Sequence, residues 1–443
     1  MRPRTSTLAF AGLAAVMALL MVAAVLLGRT TGTDGRTVVT VRVWDDRVAA
    51  AYRESFAEFG REHPDIDVRV DVVAYSTYFD TLRTDVAGGG AADVFWLSNA
   101  YFAEYADNGR LLDIGKLLGP GALRAWEPSV VNQFTRGDTL WAVPQLTDGG
   151  IAVFFNADLV AAAGVELTEL VTMRWSPGPD DTLRALLSRL TVDDRGRRAG
   201  TPGFDPGRIR QWGYNAANDL QGIYLNYIGS AGGVFTVGDR FAFYNPQAVE
   251  AFAYLVGLIN DDHVAPPASD TNDNGDFSRN QFLQGRMAMF QSGTYNLAAI
   301  AEQARFPWGV VMLPDGPKGR VSVTNGIAAA GNSSTEHPDA VRQVLAWMGS
   351  KAGNEFLGAR GAAIPAVLAA QPVYFNHWRS RGVDVSPFFR VLRGPRIPAP
   401  GGEGFAAGYQ AIKPYFDEMF LGRADVTHSL ADAQAAANAA ARR

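Results

Sequence analysis

Between Val38 and Leu97 the chain alternates three short apolar strands with two amphipathic helices, and that order narrows the possible folds more than any other feature. Val38–Trp44 (VVTVRVW) is β-branched and short, which predicts a strand. Tyr52, Phe56 and Phe59 recur at helical spacing, in a helix that stops near His63-Pro64. Ile66, Val68, Val70 and Val72 alternate with Asp67, Arg69 and Asp71, a period-2 strand. Phe79, Leu82 and Val86 share one helical face, ended by Gly88-Gly89-Gly90, and Asp93–Leu97 (DVFWL) is a third strand. A β-α-β-α-β order predicts a mostly parallel sheet with helices on its faces.

One such unit cannot account for 443 residues, a length that usually divides into two or more domains. The composition, 47% hydrophobic and 19% charged, is that of a globular chain throughout. Leu140–Pro144 and Ile151–Phe155 predict two further strands flanking a polar link, Gln145–Gly150. A helix-rich stretch runs to about Leu190, and residues 191–211, with four glycines and two prolines, predict surface loop. Helices are expected over Ala248–Ile259, Ala340–Met348, Ala352–Leu357 and Ser429–Ala441, and a strand over Met287–Gln291. Gly394–Gly404 (GPRIPAPGGEG) predicts irregular backbone.

At the N-terminus, Arg2 and Arg4 precede an uncharged run from Leu8 to Leu27. Twenty residues make a helix of about 30 Å, enough to span a bilayer and longer than a usual signal-peptide core. Positive charge before the run predicts an exported body. An uncleaved anchor over 1–28 is expected, with cleavage after the small residues Ala23-Ala24 as the alternative. Residues 29–36 read as a tether.

Several functions are excluded or weakened by composition. The net charge of −5 lacks the footprint of a nucleic-acid binder. The absence of cysteine removes disulfides, thiolate nucleophiles and Cys-zinc sites. The five histidines (His63, His263, His337, His377, His428) show no metal-ligand spacing, and neither a P-loop nor a G-x-S-x-G elbow occurs. Asp270–Gln281 suits the early positions of a calcium loop but has Gln281 where a bidentate Glu is required. No metal, cofactor or catalytic group is therefore expected.

Nine segments in fixed order resemble the extracellular solute-binding proteins of carbohydrate ABC transporters, the maltose- and glycerophosphodiester-binding type. They are VRVWDD (41–46), FAEFGREHPDIDV (56–68), ADVFWLSN (92–99), NGRLLDI (108–114), LWAVPQLTDGGIAVFFNADLVAAAGV (140–165), FYNPQAVEAFAYLVGLI (243–259), FLQGRMAMFQSGTY (282–295), GVVMLPDGPKG (309–319) and HPDAVRQVLAWMGSKAGNEFL (337–357). The resemblance implies two α/β lobes joined by hinge strands, with a ligand held between them. Lobe one would hold 37–147 and 328–385, and lobe two 148–323 and 390–443. It further implies a monomeric receptor, not an enzyme, that captures a sugar and delivers it to membrane permease subunits from the extracytoplasmic face. Many relatives carry a lipid-modified cysteine after the signal. This chain has none, so the 8–27 span would have to serve as the anchor.

A sugar presents hydroxyls in its ring plane and apolar faces above and below, so in-plane carboxylates and amides with stacking aromatics are the groups to seek. In open α/β sheets they lie beyond the carboxyl ends of strands. Asp45 and Asp46 follow the first strand, with a helix N-cap as the competing role. Trp96, Ser98 and Asn99 close the third, Trp96 being equally suited to the core. Asp148 sits in the first expected crossing, where a turn before Gly149-Gly150 is the alternative. Asn218, Gln221 and Tyr224 come from NAANDLQGIYLNY (215–227), which also reads as a helix with a buried aromatic stripe. Ser292 and Tyr295 follow the 287–291 strand, with Tyr295 the preferred stacking platform. Asn325 and Gly326 lie at a second crossing, and Arg360 and Glu403 are weaker candidates in irregular segments. Three aspartates and one arginine favour a neutral or amino sugar, mono- or oligosaccharide, over an anionic ligand. The alternatives are a glycerophosphodiester, polyamine or peptide on the same scaffold, and a secreted carbohydrate-active hydrolase with paired carboxylates.

Overall fold

The structure, a computed structural model, describes residues 35–119, 121–272 and 274–442. The apolar run Leu8–Leu27 lies outside them, and among the described residues no helix is long and apolar enough to cross a membrane.

Nine strands carry the two larger sheets: β1 (Thr37–Val43), β2 (Ile66–Val72), β3 (Val94–Ser98), β4 (Val143–Thr147), β5 (Ala152–Asn156), β6 (Met289–Ser292), β7 (Trp308–Met312), β8 (Gly326–Gly331) and β9 (Ile364–Pro365). The first sheet has the order β9-β4-β8-β3-β1-β2. Its β1, β2 and β3 are parallel, as the β-α-β-α-β order predicts. Strands β8, β4 and β9 are antiparallel, so the sheet is mixed rather than mostly parallel. The second sheet, β6-β5-β7, is wholly antiparallel.

Helices α1 (Asp46–Glu62) and α2 (Tyr75–Gly88) cover the first sheet. Val48, Tyr52, Phe56 and Phe59 on the apolar face of α1 pack into the core behind it. That core runs from Val39 to Leu146 and resumes from Ala328 to Ala370. A second core takes residues from Ile151 to Val323 and from Val391 to Ala437. The chain thus forms two α/β lobes and crosses between them more than once. A third cluster joins Phe154, Phe282 and Phe290 to Tyr374, Trp378, Val385 and Phe388. Segment 371–385, which the resemblance assigns to lobe one, thus packs on the second sheet through Tyr374, Trp378 and Val385 while also packing against the first-lobe helix Lys351–Ala359, where Gly358 faces Val373.

The polar link Gln145–Gly150 differs from expectation. Gln145–Thr147 belong to β4, and Gln145 is fully buried. Its side chain accepts from Tyr52 Oη (2.8 Å) and donates to the carbonyls of Pro144 and Met348, so the amide is satisfied inside the core. Residues 191–211 also hold two short paired strands.

The crossing after β4 is tight. Gly150 N–H donates to Phe388 O (2.7 Å), and a Cβ at Gly150 would meet that carbonyl at 2.9 Å and the Val391 side chain closer still. Gly150→Ala is expected to lose about 2 kcal/mol of stability in urea unfolding, the range for overpacking beside rigid backbone. An unchanged midpoint would show that the crossing yields.

Candidate functional site

Trp44, Tyr75, Phe79 and Tyr101 form an aromatic wall at the carboxyl end of β1 and β3. Trp44 sits edge-on to Tyr75 (5.7 Å), Tyr78 (4.9 Å) and Trp96 (4.9 Å). Tyr101 stacks on Phe79 (3.8 Å, 12°). Tyr75 begins α2 and keeps 58% of its surface, yet desolvation raises its hydroxyl pKa well above the ordinary value, with Tyr101, Tyr409 and Asp219 adding to the shift. Tyr409 and Asp219, both residues of the second lobe, are among the groups acting on its hydroxyl.

Asp219 precedes one wide helical turn, Leu220–Tyr224. A buried amide network fixes the turn: Gln291 Nε2 donates to Gly222 O (2.7 Å), Asn226 Nδ2 to Gln221 O (2.8 Å), and Tyr214 Oη to Gln291 Oε1 (2.5 Å). Asp219 caps the turn by accepting from Gly222 N (2.9 Å). It remains exposed to solvent while burial raises its pKa, the same pairing as at Tyr75. Gln221 Nε2 donates to Asp148 Oδ2 (2.9 Å), and Asp148 N donates to Asn325 O (2.9 Å). Burial pushes the Asp148 carboxyl up to about 7, against the pull of the Gln221 hydrogen bond.

Tyr295 keeps 42% of its surface, and its hydroxyl pKa is likewise raised by desolvation, then by Asp219. Gly293 lets the ring lie against the backbone, since a Cβ there would strike it. Tyr409 is pushed up to about 12 by burial. Asp219 thus acts on the hydroxyls of Tyr75, Tyr295 and Tyr409, and Asp148, bonded to Gln221, acts on that of Tyr295. No cationic side chain figures among the groups that shift the carboxylates or tyrosines of this set.

The other predicted residues have different placements. Asp45 is the N-cap of α1, accepting from Arg47 N (2.8 Å) and Val48 N (2.9 Å), and Asp46 is exposed in its first turn. Trp96 has no exposed surface and donates to Tyr52 Oη (3.2 Å), so it backs the wall from inside the core. Tyr224 is equally buried, within 3.4 Å of Tyr409 Oη. Ser98 Oγ is buried without a partner at the end of β3. Asn99 Nδ2 reaches across to the second lobe and donates to Ala399 O (3.0 Å) and Pro400 O (3.3 Å). Asn218 donates to Asp417 (3.0 Å), and Ser292 Oγ accepts from Asn296 (2.8 Å). Asn325 Oδ1 accepts from Gly326 N (3.1 Å). The Cβ position of Gly326 is filled by Val130, so close packing accounts for that glycine rather than approach of a ligand. Arg360 pairs with Glu54 on the surface, and Glu403 lies 3.8 Å from Arg136.

Asp219, Tyr75, Tyr101 and Tyr409 are absent from the sequence-derived set. Asp219 carried a local signal, an Asp three residues before a glycine at a helix start. The tyrosines carried none, because nothing local distinguishes a cleft aromatic from a core one.

The family model for bacterial extracellular solute-binding proteins matches residues 45–355. The crystal structure of M. tuberculosis UspC is 73% identical, covering 91% of this chain and 100% of that one, with a TM-score of 0.74. An ABC substrate-binding protein of Listeria monocytogenes, solved in complex with cycloalternan, is 18% identical over 91% of this chain and 98% of that one, with a TM-score of 0.78. A probable ABC transporter-binding protein of Deinococcus radiodurans is 26% identical over 54% of this chain, and the match spans only about half (54%) of its length. The two-lobe periplasmic-binding-protein-like fold, its interlobe cleft and the span of the family match agree: the chain belongs to the bacterial extracellular solute-binding protein family.

Proposed function

We propose that this protein captures a neutral or amino sugar, mono- or oligosaccharide, between its lobes and delivers it to an ABC permease. The observation that carries the reading is the grouping itself: Gln221 bonded to Asp148, Asp219 acting on Tyr75, Tyr295 and Tyr409, and no cationic side chain among the described groups that shift their ionisation. The Listeria neighbour holding cycloalternan supports a carbohydrate. Contacts from both lobes favour the closed state, so binding shifts that population. The Leu8–Leu27 run would hold the receptor at the outer face of the membrane or be cleaved on export.

A thermal-shift screen against neutral sugars, amino sugars, phosphodiesters and polyamines tests it. A ligand that binds only the folded state raises the melting temperature by mass action. Stabilisation by one sugar class, with intact sugar recovered, is the expected result. Stabilisation by a phosphodiester or polyamine alone would overturn the sugar assignment. With the sugar in hand, Tyr295→Ala should weaken binding roughly 10-fold and Tyr295→Phe by little, since the ring face makes the contact. Equal losses in isothermal titration would mean that the hydroxyl matters instead.

A further inference from the structure

Away from the cleft, the second lobe carries a groove of about 830 Å³ along β7. One wall is the helix Leu167–Thr172, whose Leu167 and Val171 are 56% and 44% exposed. The other is the segment 381–390. The floor is β7 itself, which contributes every residue from Trp308 to Met312.

Strand β7 is an edge strand, paired only with β5. Ala157 N–H donates to Pro307 O (2.9 Å), which sets the alternation of the antiparallel ladder. Residues 307, 309 and 311 face β5, so the backbone N–H and C=O groups of Trp308, Val310 and Met312 point into the groove. An open edge of this kind is a template for another strand.

The rim supplies charge. Segment 379–396 carries Arg379, Arg381, Arg390, Arg393 and Arg396, all exposed, against the single acid Asp384, in a chain whose net charge is −5. The acids lining the groove are already engaged: Glu302 pairs with Arg47 (2.9 Å), and Asp384 accepts from Ser386 N (2.8 Å). Among the described residues, the side chains of Arg381 and Arg390 have no ion-pair or hydrogen-bond partner.

We infer that this groove docks an extended acidic peptide segment of a partner protein, which adds a strand to β7 and sets its carboxylates against Arg381 and Arg390. Strand addition supplies backbone hydrogen bonds, and the arginines supply charge-assisted ones. A lipid surface is the less suitable occupant, because the outward backbone groups lie on the floor of a concavity that a flat bilayer cannot enter.

The test is fluorescence polarisation of the full chain at low salt with a labelled heptapeptide of alternating Glu and Val, beside a Lys-for-Glu counterpart. Saturable binding of the acidic peptide alone is expected. Arg381→Glu with Arg390→Glu should weaken it at least 10-fold. Val310→Pro, which removes an outward N–H while sparing the ladder to β5, should do the same. Sugar-induced stabilisation should persist in the double arginine variant, which keeps a failure here separate from a failure of the sugar assignment. Absent binding, equal binding of both peptides, or retained affinity in the double arginine variant overturns the inference. So does sedimentation with anionic phosphatidylglycerol vesicles without peptide binding, which would assign the arginines to a membrane.

Discussion

Asp148→Asn should weaken sugar binding by roughly 30- to 100-fold, while the ligand-free protein becomes more stable at pH 8. The first effect follows from the geometry. Gln221 holds one carboxylate oxygen, and Asp148 sits at the crossing between the lobes, its N–H bonded to Asn325 O. Hydrogen bonds to a charged acceptor contribute about 1.5–3 kcal/mol each. An amide presents a donor where a sugar hydroxyl needs an acceptor. The second effect follows from desolvation, which raises the folded carboxyl to about 7. The unfolded value is about 3.9. Between these values the folded state binds more protons than the unfolded state, so wild-type stability falls as pH rises through the window and levels off above it. Asparagine does not titrate. The stability difference between variant and wild type should therefore widen from pH 4 to pH 7 and stay flat beyond, as read by urea unfolding at pH 4, 6 and 8. The same linkage predicts that a sugar bound to the ionised carboxylate binds less well below pH 7, with proton release in titration calorimetry. A pH-independent difference would mean that Asp148 is ionised at low pH in the folded protein.

Gly401→Ala should open the ligand-free protein and raise the sugar dissociation constant about 10-fold. The segment Ala399–Gly404 belongs to the second lobe and lies directly on Asn99 of the first. Asn99 Nδ2 donates to Ala399 O and Pro400 O, and a Cβ at Gly401 would meet Asn99 Nδ2 and O, both at 2.6 Å. Asn99 O is backbone and cannot swing aside, so the methyl group must push the lobes apart. Other contacts between the lobes include Ala100 packed on the second core, and the ion pairs Arg136 to Glu403 (3.8 Å) and to Asp239 (4.0 Å) and Arg47 to Glu302 (2.9 Å). The exposed ion pairs contribute only about 0–1 kcal/mol each. If the closed fraction falls tenfold, the apparent affinity falls by the same factor. X-ray scattering should show a larger radius of gyration for the ligand-free variant, restored by saturating sugar. Asn99→Ala should act in the same direction but less, since it removes hydrogen bonds without adding bulk. Unchanged scattering and affinity would show that the 399–404 segment moves independently of closure.

Much of the fold was legible because its signals are local. The alternation Ile66–Val72 gave β2 to the residue, and the helix expected over Ala248–Ile259 is found at Pro246–Asn260, with Asn245 as its N-cap. The antiparallel half of the first sheet was not legible. Strand direction there depends on where β4 and β8 enter from the other lobe, and no residue of those strands encodes it. Gln145 reads as a loop residue by type, but the buried partners Tyr52 and Met348 lie 93 and 203 residues away.

The sequence by itself determined the family, the first β-α-β-α-β unit, and the residue types a sugar site requires. Only the tertiary structure decided which of them share the cleft. Asp45 satisfies a helix, Trp96 fills a core, and Asn99 ties the lobes. Asp148 and Gln221 meet across 73 residues, and Asp219, beside Gln221 in the chain, acts on Tyr75 and Tyr409 from two other segments. The physical reason is that capping and periodicity are settled within a few residues of chain. A cleft between lobes is a surface made by distant segments, and whether a polar side chain spends its hydrogen bonds at home or offers them to a ligand depends on what folds opposite it.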